Sequence, residues 1–390
     1  MSYIGKTPTP APLTSSDITD GIITTAKIAD SSVTTEKIVA DTNFRNIIIN
    51  GSMDIAQRGT SVTGITGSSY NTIDRFQTGA SSAGTWTQSQ STDVPTGQGF
   101  ATSLKMDCTT ANTSLGSSAR LQISQKIEGQ NLQFLKKGTS SAVSTTVSFW
   151  VKSNKTGIYI VELYDSDNTR HIAKSYTISS ANTWEKKTLT YAGDTTGAFG
   201  NDNGDSLALY FWLVAGSTFN ASGNLATSWS AISNSARASD QVNLADSTSN
   251  EWYVTGVQLE AGSVASDFEF LPVDVNLQRC QRYYHKWVSE HVYANITIGK
   301  VQSGKNARGV YQNKVQFRTA PSLSADGNFR MVGSGTGTGT GSNISVIRNN
   351  TYVQFLDFVF SGGTDSTGNQ ACEMGANNDA DAEIAFSAEL

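Results

Sequence analysis

Residues 206–216 read Ser-Leu-Ala-Leu-Tyr-Phe-Trp-Leu-Val-Ala-Gly, and their alternation decides the fold. On an extended chain Leu207, Leu209, Phe211 and Leu213 fall on one face, and Ala208, Tyr210, Trp212 and Val214 on the other. A strand that is apolar on both faces is buried on both, so it belongs in the middle of a sandwich. Its neighbours in sequence alternate more simply. Residues 144–153 set Val147, Phe149 and Val151 against Ser148, Trp150 and Lys152, and residues 251–262 alternate again. Between such runs lie turn-rich stretches, of which 194–205 (DTTGAFGNDNGD) is the clearest. From 46 to about 272 the signal is β throughout, with short Gly/Asn/Asp loops and no βαβ rhythm. The expected fold is all-β, an antiparallel jelly-roll sandwich.

Beyond the sandwich, Asp274 reads as an N-cap, and Leu277, Cys280, Tyr284 and Trp287 fall at helical spacing. That pattern predicts one linking helix near 275–287, with His285 on its solvent side. The chain then reads as β again at 291–301, 309–317, 343–348, 351–360 and 383–390. Residues 333–341 (GSGTGTGTG) read as a loop; no Lys-Ser/Thr follows and no helix opens there, which excludes a phosphate loop.

The first 45 residues are different in kind. Ile23-Thr24-Thr25-Ala26-Lys27-Ile28 returns ten positions later as Val33-Thr34-Thr35-Glu36-Lys37-Ile38, with a fainter copy at 13–18. Three such units bury too little apolar surface to offset chain entropy. Regularly spaced Ile23, Ile28, Val33 and Ile38 therefore predict packing against other copies of the chain, a self-associating stalk behind an extended segment carrying Pro8, Pro10 and Pro12. The expected divisions are 1–45 as an attachment segment, 46–272 as the jelly roll, and 273–390 as linking helix and distal, receptor-facing β domain.

Composition narrows the function. Charged residues make up only 16% of the chain, against roughly 25% in an ordinary soluble protein. Small uncharged polar residues take their place, as in extracellular or particle-borne β proteins. A net charge of −5 lacks the basic field that a nucleic-acid binder needs. No run approaches the length of a membrane span, and Met1-Ser2-Tyr3 opens no signal peptide, so synthesis in a cytoplasm is expected. Cys108, Cys280 and Cys372 are far apart and odd in number, which predicts buried free thiols.

Chemistry is sparse. His171, His285 and His291 form no metal-binding spacing, and no GxSxG is present. Glu128, Glu162, Asp165 and Asp167 are carboxylates of the type a polysaccharide hydrolase pairs across a cleft, but no parallel β-helix repeat accompanies them. No enzyme activity and no cofactor is expected. The loops 165–168 (DSDN) and 201–205 (NDNGD) have oxygens suited to calcium, yet neither matches an EF-hand, and Asn/Asp turn chemistry accounts for both. Glycan contact is a stronger reading, because aromatic faces stack on pyranose rings while Asn, Gln and Asp bind hydroxyls. Trp86, Trp184, Trp229, Tyr283 and Tyr284 are the candidates.

Other polar residues read as scaffold. Asn46, Asn50 and Gly51 suit a bend at a strand end, Arg58 and Asp74 pair across that corner, and Met53, Phe76 and Leu259 supply core. Gln258 and Glu260 alternate on a late strand, placed to hydrogen-bond the opening segment.

Four stretches together resemble a known family. They are the ITTAKIAD and VTTEKIVAD phrases; Asn46–Met53 followed by Gln57-Arg58-Gly59 and Asp74-Arg75-Phe76; Trp252–Gly262 with Phe268-Glu269; and Leu277–Tyr284 together with the terminal Phe386–Leu390. In this order they resemble tail-fibre and related receptor-binding proteins of tailed bacteriophages, particularly marine phages infecting cyanobacteria, with a carbohydrate-binding-module-like jelly roll. The resemblance implies a homotrimeric structural protein of the virion. It would dock through 1–45 onto tail, adaptor or nozzle proteins and meet host-surface glycan, without nucleic acid and without membrane insertion. Rival readings are a head or neck decoration protein and a fibre-borne polysaccharide-degrading enzyme.

Overall fold

The doubly apolar stretch is a strand at the centre of a sheet, in a computed structural model that describes residues 44–303, 306–333, 338–341, 343–359, 362–363 and 370–390. The repeat residues Ile23, Ile28, Val33 and Ile38 lie outside the described residues. Asn46–Leu390 forms one compact unit.

The chain enters this unit through β1 (Ser61–Ile65), β2 (Ser69–Tyr70), β3 (Gln77–Ser81), β4 (Thr85–Ser91), β5 (Ser103–Thr110) and β6 (Arg120–Glu128). Longer strands come next: β7 (Thr145–Ser153), β8 (Gly157–Asp165), β9 (Arg170–Ile178), β10 (Glu185–Tyr191) and β11 (Asp205–Ala215). Then come β12 (Ser230–Ala231) and β13 (Glu251–Ala261). They pair antiparallel into two sheets, β1-β4-β5-β13-β7-β10 and β12-β9-β8-β11-β6-β3-β2, in a jelly-roll sandwich. Strand β11 sits between β8 and β6. Its Leu207, Leu209 and Phe211 join the main core, where Phe211 meets Phe149 edge-on at 5.0 Å. Its Trp212 faces away into a second cluster with Ile160, Ala173, Phe219 and Ala238. The covering layer on that side is the 216–242 segment rather than a third sheet. A bulge between Trp212 and Val214 then brings Leu213 and Val214 both into the main core.

The linking helix is shorter than its spacing predicts. Helix α1 (Val273–Gln281) starts after Pro272, with Asp274 in the first turn rather than at the cap. Tyr284 and Trp287, assigned by period to the helix, lie instead on β14 (Tyr284–Val288). The run Tyr-Tyr-His-Lys-Trp-Val is rich in aromatic residues that favour strands, and pairing with a late strand overrides the helical period. His285 is accordingly buried, 3% exposed, and not on a solvent face.

The remaining strands are β15 (Asn295–Ser303), β16 (Asn306–Gln312), β17 (Ser322–Asp326), β18 (Phe329–Gly333), β19 (Thr338–Gly341) and β20 (Asn343–Asn349). They are followed by β21 (Val353–Val359), β22 (Gly362–Gly363), β23 (Ala371–Ala376) and β24 (Glu383–Ser387). They form a small sheet, β14-β24-β17, and a larger one, β20-β21-β16-β15-β23-β18-β19-β22. Phe329, Met331, Phe358, Met374 and Phe386 fill the core between them. The glycine run is not a loop throughout: Thr338–Gly341 pairs with β18, Val332 opposite Thr338, while 334–337 lie outside the described residues.

The scaffold residues explain how the sandwich and the later sheets hold together. Asn46 Oδ1 accepts from the Ile48 and Leu259 N–H groups (3.0 and 3.1 Å), and its Nδ2 donates to the Val257 carbonyl. Asn50 takes a positive φ of 61° and brackets Ile55 with both side-chain ends. A Cβ on Gly51 would run into the Val257 carbonyl, so the bend needs glycine there. Gln258 and Glu260 hold the segment after β13 rather than the opening one. Glu260 accepts from Ser266, Gln258 Oε1 from the Glu269 N–H, and Glu269 in turn accepts from the Asn46 N–H.

Arg58 lies 3.6 Å from Asp74 as expected, but it also reaches Glu389 at 3.2 Å and stacks 3.6 Å over the Tyr284 ring. Arg75, 1% exposed, pairs with Glu389, donates to the Lys126 carbonyl and lies 3.5 Å over Tyr283. Gln57 donates to Asp74 and to the Tyr284 carbonyl. Glu128 receives both arms of Arg282 (2.8 and 2.7 Å) and the Tyr283 hydroxyl. This clamp joins the first strands of the sandwich to the chain's last residues. Burial pushes the Asp74 carboxyl up to about 6, against Gln57 and Arg58. Burial works the same way on Glu128, but the bonds from Arg282 and Tyr283 prevail and hold its pKa below the usual range.

Candidate functional site

Of the aromatic residues singled out for glycan contact, three are unavailable. Trp86 is fully buried in the main core, its indole donating to the Ala83 carbonyl. Tyr283 and Tyr284 are buried in the clamp, stacked by Arg75 and Arg58. Trp229 is half-buried and donates to the Ala192 carbonyl at 2.8 Å. Trp184 is half-buried over the outer face of the first sheet, and this face holds the site.

Strand β7 turns Val147, Phe149 and Val151 inward and leaves Ser148, Trp150 and Lys152 outward. Trp150 stands opposite Lys186 of β10 and Thr255 of β13. Beside it β13 bulges between Thr255 and Gln258. Gly256 in the bulge has a φ of 63°, and the Phe100 ring packs where a Cβ would be. Phe100 in turn meets Phe268 and Phe270 at 5.1 Å each. A cavity of about 220 Å³ is lined by Trp150 and Gly256, by Gly97, Gln98 and Phe100 from the β4–β5 loop, and by Asp267, Phe268 and Phe270 from the segment after β13. Lys186, on the edge strand β10, also lines it.

Asp93 ties that loop down. It accepts from the Trp184 indole at 2.9 Å and pairs with the Lys152 ammonium, while its carbonyl accepts from Ser103. Burial raises the Asp93 carboxyl, and the bonds from Lys152 and Trp184 overcome this and leave its pKa lowered. Lys152 also lies 4.4 Å from the Tyr253 ring, which Trp184 meets edge-on.

A lining of aromatic rings with a few polar groups is suited to a small polyhydroxylated ring. Among the described residues Asp267 is the one carboxylate lining this cavity. The acids considered for catalysis are engaged elsewhere. Glu162 is fully buried between His171 (2.9 Å), Arg237 and the Trp212 indole, and Glu128 belongs to the clamp. Asp165 pairs with Lys137 at 2.5 Å and Asp167 accepts from the Gly200 N–H. In the 201–205 loop Asp202 accepts from Gly204, and Asp205 pairs with Lys126. Among the described residues no three His, Cys, Asp or Glu converge as a metal site. All three cysteines are buried free thiols, and no described helix is long and apolar enough to cross a membrane.

Sequence reasoning passed over Trp150, although the signal was there: a tryptophan on the polar side of an alternating strand. Phe268 and Phe270 left no comparable signal, because only the return of the chain after β13 brings them over the sheet.

No protein-family model matches this chain, and no curated protein matches its sequence. Among solved structures it is similar to the enzymatically active domain of bacteriophage CBA120 tailspike protein 4, at 13% identity over 56% of this chain and 21% of that one, TM-score 0.29. It is also similar to the module TmCBM61 in complex with β-1,4-galactotriose, at 10% identity over 56% of this chain and 99% of that one, TM-score 0.28. A third is a family 11 carbohydrate-binding module from Clostridium thermocellum in complex with a mixed-linked tetrasaccharide, at 10% identity over 53% and 98%, TM-score 0.26. The chain thus spans about a fifth of the tailspike's length. At TM-scores this low the likenesses carry no argument, and the fold stands on its strand order.

Proposed function

We propose that this protein is a non-enzymatic, glycan-binding structural protein of a phage virion, of the tail-fibre kind. The observation that carries glycan binding is the cavity on the outer face of the first sheet, lined by Trp150 together with Lys186, Asp267 and Gln98. Such a site holds a sugar by ring stacking and fixes its orientation by hydroxyl contacts. Recognition is therefore assigned to the jelly roll rather than to the later sheets. Glycoside hydrolysis uses two carboxyl groups flanking the bond, whereas Asp267 is the one carboxylate that the described residues bring to the cavity, which supports binding over cleavage. The virion role rests on the motif set of the sequence, and trimeric docking through 1–45 rests on its repeats.

The test is a glycan array probed with the full chain and with Trp150→Ala. Binding lost in the variant, with an unchanged melting temperature and no release of reducing ends by the wild type, is the expected result. Array binding that survives Trp150→Ala would move the site elsewhere. Antibody-labelled electron microscopy of the particle checks the virion role, with label at the tail expected and label at the head or neck favouring a decoration protein.

A further inference from the structure

Resting on the glycan reading, we infer that the cavity reads the end of a glycan chain, holding one terminal pyranose rather than a run of internal units. Size is the first observation. The cavity of about 220 Å³ is smaller than the roughly 300–1,000 Å³ of pockets that enclose drug-sized ligands.

Shape is the second. An internal stretch of polymer must enter and leave, so it needs a trough open at both ends. Here the β4–β5 loop and the segment after β13 both line the cavity, and they are joined by ring contacts of Phe100 with Phe268 and Phe270 at 5.1 Å each. The loop is anchored through Asp93 to Trp184 of the edge and Lys152 of β7, across the neighbouring row of the same face. Lys186, on the edge strand β10, lines the cavity as well.

The third is the supply of stacking surfaces. A chain-binding trough offers successive aromatic platforms. The next aromatic row on this face is already filled. Tyr253 is 5% exposed, Trp184 meets it edge-on at 6.1 Å, and the Lys152 ammonium lies over both rings. Trp150 is the platform on the sheet left for a sugar, with Phe270, 51% exposed, lining the same cavity.

The experiment takes the best-binding series on the array and measures, by calorimetry on the full chain, a ladder of one to six residues of that sugar. The expected result is that the free monosaccharide binds within about tenfold (1.4 kcal/mol) of the longest member. Asp93→Ala, which frees the loop, is expected to raise the ratio of long-chain to monosaccharide affinity. A purely structural role for Asp93 would lower both affinities together and leave the ratio unchanged. Affinity that climbs with each added residue overturns the inference while leaving glycan binding intact. Binding by the full chain that survives Trp150→Ala moves the site away from this cavity and overturns the inference, whereas silence of the array sinks the glycan reading itself and this inference with it.

Discussion

At the scale of single residues, Lys137 shows how a buried charge is made tolerable. Its ammonium donates to the Thr196 and Gly197 carbonyls at 2.9 and 2.8 Å and lies 2.5 and 3.2 Å from Asp165 and Asp194. Four oxygens surround one cation, with its side chain 4% exposed. Removing one member of such a group strands the others, a loss of about 3–5 kcal/mol. Lys137→Met should therefore lower the unfolding free energy, read from urea denaturation, by that much, and a change within error would show that the two aspartates find other partners. Gly51 is limited by space instead. Because a Cβ would strike the Val257 carbonyl, Gly51→Ala should cost about 1–3 kcal/mol through overpacking. Thermal melting checks this, and an unchanged melting temperature would mean that the β13 bulge gives way freely.

At the scale of elements, β14 and the corner around Asp74 respond to pH in opposite directions. His285 on β14 packs against Phe386, with Nε2 2.6 Å from the Tyr311 hydroxyl. Burial, helped by Lys314, pushes its pKa down from 6.5 to about 4. Its contribution is whole above pH 6.5 and is lost as pH falls towards 4. Asp74 is raised from 3.8 to about 6, so its contribution is whole below pH 3.8 and is lost as pH rises through 6. Each is on the order of 3 kcal/mol at full extent. Relative to wild type, Asp74→Asn should lose more stability between pH 7 and 4.5, and His285→Gln should lose less. Urea midpoints at the two pH values measure this; parallel behaviour of both variants and wild type would remove both groups from the account.

At the scale of the molecule, the clamp makes the sandwich and the later sheets one structure. Arg58 reaches Glu389 across 331 positions of sequence and Gln57 reaches Tyr284 across 227. A fragment ending at residue 272 would strip Arg75 and Glu128 of their buried partners. Calorimetry of residues 46–390 should show one cooperative transition, and fragment 46–272 should aggregate or melt far lower. Two separate transitions, or a well-folded fragment, would count against this coupling. Deleting 1–45 should leave the melting of 46–390 unchanged, since the core of this unit is closed by its own strands. Failure of the truncated chain to fold would refute that.

Local sequence determined which stretches are strands and which residues turn the chain. The double-faced burial of 207–212, the alternation of β7, the bend at Asn46–Gly51 and the Arg58–Asp74 pair all stem from period two and turn chemistry, which act over a few residues. Pairing partners lay beyond that reach. Trp86, taken as a sugar contact, is packed in the core, while Trp150, on the polar side of the alternating β7, lines the cavity; which tryptophan is covered depends on how the sheets pack. Tyr284 and Trp287 matched a helix by spacing and were drawn into a strand by pairing with β24, near the far end of the chain. The cavity itself is a tertiary product: a bulge in β13, a loop between β4 and β5 and a segment after β13 meet over one tryptophan. Contacts between residues so far apart are set by how whole sheets pack, and no local pattern encodes them.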